Sequence, residues 1–380
     1  MKKDSHWHEE KEGSLLAPLE KWGRKLFAAI IALLLEREKV PCATLHLSSF
    51  KSILLIKEPY RMGDLFQITP ALKALKIQFP QIKIGLVVQD RNGDVFKNNP
   101  HVDDLFLYKK REINWAPWKI FKFLSHIRSK KYEIAVTLET ERTHLTNDLI
   151  ALFSGVPFRV RYEGSCLGDS LSNAFYTVLV PFNSKEPHEV DKNSGVLKSL
   201  GLRFKDKNLE FICSPAEIER GKGVLKNLYG NEGIPSKIVL IHPGSYKIEN
   251  RWSLKNYMEV AHALTKNGVN VLFALGPSEL EWRNQITSQN FPVIVGESLG
   301  VMGAIMQSSR LVFCNDTGIL HLASACDVPT VALFGKTDLK RWKPPQKTTR
   351  AIQTKDKEIS SISADHALRE ISQIDLFHLR

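Results

Sequence analysis

The chain has no GxxxxGK[ST] loop, and no GxGxxG follows its first strand-like run, which sets aside P-loop enzymes and ordinary nicotinamide dehydrogenases. It has no HExxH and no cluster of ligand-type side chains at metal-binding spacing, so no metal site is expected. A Ser-His-Asp hydrolase is not expected either. Cysteine is scarce. Cys42, Cys166, Cys213, Cys314 and Cys326 form no CxxC pair and no disulfide framework. Such an odd, scattered set fits reduced thiols in a cytoplasmic protein. Long apolar runs are missing: the longest, Leu26–Leu35, falls short of the ~20 residues that span a bilayer. Residues 1–14 are polar and mixed in charge, with no cleavage site after an apolar core, so no signal peptide is expected. No short tandem period appears, which excludes a solenoid.

What is present points to two ordinary globular domains. The length of 380 residues is enough for two, and 43% apolar with 25% charged residues lets each bury a core. The net charge of +12 implies an anionic partner: nucleotide phosphates, an anionic membrane surface or nucleic acid. Nucleic acid is the weakest of these, because no recognised binding module accompanies the charge.

Apolar strand-like runs alternate with helical periodicity. Residues 52–56 (SILLI), 82–88 (IKIGLVV) and 133–138 (EIAVTL) read as buried strands, with Ile68, Leu72, Leu75 and Phe79 on one helix face between them. The pattern restarts with residues 237–241 (KIVLI) and 269–275 (VNVLFAL), then RLVFC and TVALF, with Ser253 and Ser298 as helix caps. This is an α/β chain with two Rossmann-like halves. The expected division is an extension over 1–48, an N-terminal domain over 49–205, a C-terminal domain over 206–357 and a closing helix over 358–380. That last helix is a candidate brace between the domains.

Ligands of open α/β sheets bind beyond the carboxyl ends of the strands, so three turns are the places to search. The first, KEPYRMGDLFQITPALKAL, puts Asp64 after Gly63 in a loop, followed by Thr69 and Pro70 as a cap and first helical residue. A carboxylate there can take a proton from a hydroxyl, or simply cap the next turn. The second, HPGSYKIENRWS, offers the N–H groups of Gly244 and Ser245 to a phosphate, beside Lys247 and Arg251; a plain turn with Trp252 packed on the sheet reads equally well. The third, CNDTGILHLASA, places Asp316 as a cap before Thr317 and Gly318, a helix start suited to a diphosphate, with His321 in its first turn. Glu279, at another strand end, can accept hydrogen bonds from ribose hydroxyls or serve as a helix-start carboxylate.

Taken in order, GD…TPALKAL, HPG…RW, LGPSE and NDTG…HLA…VPTVALFG resemble glycosyltransferase family nine, the heptosyltransferases, over roughly residues 50–350. The resemblance implies a GT-B fold, with two Rossmann-like domains facing a cleft, and an inverting transfer from a nucleotide-sugar donor to a lipid-linked glycan acceptor without a cofactor. It implies Asp64 as general base and Glu279 at the ribose. Asp316, Thr317, Gly318 and His321 would surround the diphosphate and sugar. The family commonly has a lysine where this chain has Asn250; Arg251 or Lys247 is then left to supply the charge. An enzyme working on lipid-linked glycans is expected at the inner face of the cytoplasmic membrane. Two segments offer contact there: Leu26–Leu35 with its basic flanks, and residues 115–131, whose Trp115, Trp118, Phe121 and Leu124 recur every three residues among lysines. For the second, the simpler expectation is an aromatic stripe packed on the sheet.

Overall fold

The computed structural model describes residues 29–30, 39–57, 61–116, 118–140, 144–164, 171–182, 186–230 and 233–374. The Leu26–Leu35 run lies outside these, apart from Ala29 and Ile30, which are helical, and so does Cys166. The other four cysteines are free thiols. No helix among the described residues is long and apolar enough to cross a membrane.

Two six-stranded parallel sheets form the frame. The first contains β1 (Ser52–Ile56), β2 (Lys83–Gln89), β3 (Asp104–Tyr108), β4 (Ile134–Thr137), β5 (Phe158–Tyr162) and β6 (Val178–Val180), in the order β3-β2-β1-β4-β5-β6. The second contains β7 (Ile238–His242), β8 (Asn270–Leu275), β9 (Val293–Val295), β10 (Leu311–Asn315), β11 (Thr330–Leu333) and β12 (Thr349–Ile352), in the order β12-β11-β10-β7-β8-β9. Each half therefore builds outward from its first strand in one direction, then returns to that strand's other side. The crevices between β1 and β4 and between β7 and β10 are the points where strand order reverses, where α/β sheets hold ligands.

The central strands are largely apolar because both sheet faces are covered. In β1, Ile53 and Leu55 enter one core while Leu54 and Ile56 enter another. In β7, Ile238 and Leu240 join the same core as Ile53, while Val239 and Ile241 face a third. One continuous apolar cluster thus reaches from the first sheet to the second, through side chains such as Phe66 and Phe211, whose rings meet edge-on at 5.9 Å.

Several local expectations need correction. Asp64 lies in a short helix, Met62–Phe66, rather than in a loop. The next helix, Thr69–Gln78, begins one residue early: Ile68 is its cap position, and the Thr69 hydroxyl donates back to the Phe66 carbonyl at 2.8 Å. The polar stretch after Phe182 contains the helix Glu189–Ser199, whose Val190, Val196 and Leu197 are buried in the shared core. The closing helix, Ala364–Ser372, does not bridge the halves. Its Ala367 and Ile371 pack with Trp252 and Tyr257 in the outer core of the second sheet. Trp252 fixes the approach, with its Nε1 donating to the Ile362 carbonyl at 2.8 Å and its ring edge-on to Tyr257. Trp252→Phe leaves that carbonyl unpaired in the core and is expected to cost about 1–3 kcal/mol of unfolding free energy. A urea midpoint equal to the parent's would show that this bond does not hold the closing segment.

Candidate active site

The first half presents its chemistry at the carboxyl end of β1. The Asp64 carboxylate accepts the Arg61 N–H at 3.1 Å, closing the first turn of the Met62–Phe66 helix. Burial pushes the Asp64 carboxyl above its ordinary range; Lys57 pulls against this and Glu189 adds to it. Lys57 is fully buried just past β1 and donates to the Leu138 carbonyl at 2.9 Å and to the Asn193 side chain. Burial lowers its pKa, while Glu189, Asp64 and Glu139 work to keep it charged. Burial also pushes Glu189 up, but Lys57, the Thr140 hydroxyl and Arg341 outweigh it and hold this carboxylate below its usual range.

The Glu189–Arg341 pair, at 2.7 Å, joins the two halves, because Arg341 belongs to the second. His188 makes a parallel bond to the Lys343 carbonyl at 2.8 Å. A further crossing occurs at the other rim, where the Arg61 guanidinium lies 4.8 Å from the Tyr246 ring centroid.

The central crossing is tighter. A Cβ added to Gly63 would stand 2.8 Å from His321 Cδ2, and one added to Gly318 would stand 2.3 Å from Met62 Cε. The two glycines let the Met62–Phe66 helix and the helix Gly318–Ala325 meet face to face. His321 is buried, and its Nδ1 is 3.1 Å from Gln67 Nε2. Burial, then repulsion from His188, pushes its pKa down to about 4, so the ring is neutral at physiological pH. Gln67 and Nδ1 share one hydrogen bond, which leaves Nε2 on the Gly63 side of the ring.

In the second half, Asn315 anchors the turn after β7. Its amide donates to the carbonyls of Pro243 and Gly244 at 2.8 and 3.2 Å, while its oxygen accepts from Tyr257 at 2.8 Å. Gly244 has no room for a side chain, since a Cβ there would stand 2.5 Å from the Glu279 carboxyl carbon. The buried Glu279 carboxylate accepts the Gly276 N–H at 3.0 Å and meets Arg251 at 3.5 Å. Arg251 also donates to the Ser245 carbonyl at 2.6 Å and lies over Trp282. It therefore braces the Gly244–Ser245 turn. Asn250 is buried and turned away from that turn: its amide donates to the Thr337 hydroxyl at 3.0 Å. Thr337 in turn bonds Asp316. The cap of the Gly318–Ala325 helix is Thr317, whose hydroxyl accepts the Ile319 N–H at 3.2 Å, rather than Asp316.

The residues singled out from the sequence therefore fall into two joined groups. Gly318 and His321, on the helix that follows Asp316 and Thr317, meet Met62 and Gly63, the residues just before Asp64. Gly244, Ser245, Arg251 and Glu279 form the adjoining turn, tied to the first group through Asn315, with Asn250 behind it. Sequence reading passed over Lys57, Glu189, Arg341, Asn315 and Thr337. Lys57 carried a signal, as a charge closing an apolar strand at the switch point. It also passed over a GxSxG pattern at Gly296–Gly300. There Ser298 lies beyond the edge strand β9 and caps the helix Leu299–Gln307 by accepting the Val301 N–H at 3.4 Å. Among the described residues no histidine is hydrogen-bonded to it.

The family model for glycosyltransferase family 9 (heptosyltransferase) matches residues 120–370, more than half of the chain. The chain belongs to this family. It is 25% identical over 292 residues to lipopolysaccharide heptosyltransferase 3 of Escherichia coli, covering 74% of this chain and 83% of that protein. Among solved structures, it superposes on the family 9 glycosyltransferase of Veillonella parvula DSM 2008 with a TM-score of 0.75 at 21% identity, over 87% of this chain and 97% of that one. It also superposes on the E. coli heptosyltransferase WaaC with ADP-2-deoxy-2-fluoro heptose, with a TM-score of 0.68 at 19% identity, over 85% and 99% of the two chains. The family 9 chain is a glycosyltransferase, and its two facing sheets form a GT-B fold.

Burial pushes the Asp316 carboxyl up to about 6, against the Thr337 hydroxyl and Lys247, which lower it. In an unfolded chain it ionises near about 3.9. The fold therefore disfavours the ionised form; the cost sets in as pH rises past the unfolded value and is complete above about 6. Asp316→Asn removes this cost. Without ligand, the variant is expected to melt above the parent at about pH 7.5, with the gain shrinking toward about pH 4.5. A shift of the same size at both pH values would contradict the assignment.

Proposed function

We propose that this family 9 enzyme is an inverting transferase that moves a heptose from ADP-heptose to a lipopolysaccharide core or related lipid-linked glycan. The observation that carries this reading is the meeting of Gly63 and Met62, the two residues just before Asp64, with neutral His321 and with Gly318 at its helix start. A base and an anion-binding helix start are then neighbours, as an in-line displacement requires. Asp64 takes the proton of the acceptor hydroxyl. The freed oxygen pair forms the new bond at the anomeric carbon, while the bond to the diphosphate breaks on the opposite face and ADP leaves. The raised pKa of Asp64 makes it a stronger base than an exposed carboxylate.

The leaving diphosphate gathers charge, and fixed donors aimed at that charge lower the barrier. The N–H groups at Thr317–Gly318 and the Gly244–Ser245 turn supply them, and the exposed Lys247 adds a cation on the Asp316 side. Neutral His321 can donate a hydrogen bond without bringing a charge. Glu279, at the base of the turn, is placed to accept from ribose hydroxyls. The donor and acceptor names borne by relatives support heptose and lipopolysaccharide. The work would be done at the cytoplasmic face of the membrane, where nucleotide sugars are available to a lipid-linked acceptor. A second reading, a different nucleotide-sugar donor, is favoured by Asn250, which brings no charge and is bonded to Thr337.

Asp64→Asn keeps the shape and removes the base. Transfer is expected to fall about 10²–10⁴-fold, with ADP affinity within a few-fold of the parent. Near-parental transfer rates in a coupled ADP-release assay would remove Asp64 from the role. Lys247→Ala is expected to weaken ADP binding roughly tenfold or more, the worth of a charge-assisted hydrogen bond. Unchanged titration calorimetry would place the diphosphate elsewhere.

A further inference from the structure

The helix Lys119–Ser129 covers the outer face of the first sheet, but it does not bury its aromatic stripe there. Ile127 enters the core, Ile120 and Phe123 pack against it, and Leu124 is buried beside a groove along this helix. Trp118 and Phe121 instead stand 68% and 73% exposed. This overturns the expectation that the stripe packs on the sheet. Between this helix and the helix Leu145–Phe153 runs an apolar groove of about 620 Å³, lined by Tyr108, Phe121, Leu124, Leu149 and Phe153. Phe153 is itself 40% exposed. An exposed Trp and Phe over an open apolar groove carry a solvation cost that a soluble surface rarely keeps without a use.

Charge surrounds the patch. Residues 109–131 hold eight basic side chains, Lys109, Lys110, Arg111, Lys119, Lys122, Arg128, Lys130 and Lys131, against one acid, Glu112. Lys109 and Lys119 pair with that one carboxylate, at 3.1 and 2.9 Å. Arg111 and Lys122 are exposed. Position matters as well. Trp118 follows β3, so the Trp118–Phe121 end of the patch lies toward the carboxyl edge of the sheet, the edge that carries Asp64, while Lys130, paired with Asp104 at the start of β3 at 2.9 Å, lies toward the other edge.

We infer that this surface docks the enzyme on an anionic bilayer. Trp118 and Phe121 enter the headgroup region, where aromatic rings settle, and the surrounding lysines and arginines meet lipid phosphates. The geometry turns the carboxyl edge of the first sheet toward the lipid. The surface lies outside the cleft, so the inference does not rest on the donor or acceptor proposed above.

The test is sedimentation of the full chain with vesicles of phosphatidylglycerol and phosphatidylcholine, and with phosphatidylcholine alone. Two double variants are compared with the parent: Trp118→Ser with Phe121→Ser, and Arg111→Glu with Lys122→Glu. All four side chains are exposed, so melting temperature and ADP binding are expected to stay at parental values. Each pair is expected to lower affinity for the anionic vesicles about tenfold or more, and the parent's binding is expected to fall with salt and to be weak on phosphatidylcholine alone. Parental binding by both variants would overturn the inference. So would loss of binding only on deleting residues 1–38. A concentration-dependent dimer abolished by the Trp118 and Phe121 changes, in a parent that binds no vesicles, would assign the patch to a second copy of the chain and overturn it too.

Discussion

His321 and Gly63 meet where a methyl group does not fit. That contact sets how near the first sheet's carboxyl end stands to the helix start of the second. Gly318 opposite Met62 adds a softer contact one turn away, since the end of the methionine can shift. Two glycines on facing helices bring backbone to side chain at short range, and close-packed interiors do not deform smoothly. The distance between the proposed base and the proposed diphosphate site is therefore fixed by packing. The burial that lowers His321 to about 4 follows from the same closeness, and so does a ring that donates hydrogen bonds without adding charge.

The electrostatics beneath Asp64 depend on the same crossing. Lys57 is fully buried, and a buried charge needs partners. Glu189 and Glu139 oppose its loss of charge, and Glu189 is shared with Arg341 from the other half. Separating the halves strips Arg341 from Glu189 and leaves that carboxylate to Lys57. The pKa of Asp64, which Lys57 lowers and Glu189 raises, therefore depends on a salt bridge that the same crossing holds in place.

Much of this was legible in the sequence, because the signals are local. Apolar runs such as SILLI and KIVLI ended in Gly-bearing turns, and both the strands and the switch-point positions of Asp64, Gly244 and Asp316 followed from them. The rest depends on partners distant in the chain. Glu189 and Arg341 are 152 residues apart, and Gln67 and His321 are 254 apart. No periodicity announces such pairs. Arg251 looked free to bind phosphate because its charge was visible, while the Ser245 carbonyl and Glu279 that hold it are set by the fold. Asp316 looked like a cap because Asp often is one, but Thr317 holds the cap and leaves Asp316 to Thr337. The Lys119–Ser129 stripe had helical spacing, yet spacing alone does not say which part of a stripe a sheet will cover.

The account turns on the fit at Gly63, and Gly63→Ala tests it most directly through turnover and ADP affinity measured side by side. The added Cβ meets the ring of a buried histidine that has little room to retreat. Misplacement of about 1 Å at a reacting centre costs on the order of 10²-fold in rate. The predicted result is a turnover loss of roughly that size, with ADP affinity within a few-fold of the parent, since the second half keeps its own turns. Parental turnover in the variant would contradict the claim that this contact sets the distance between base and donor.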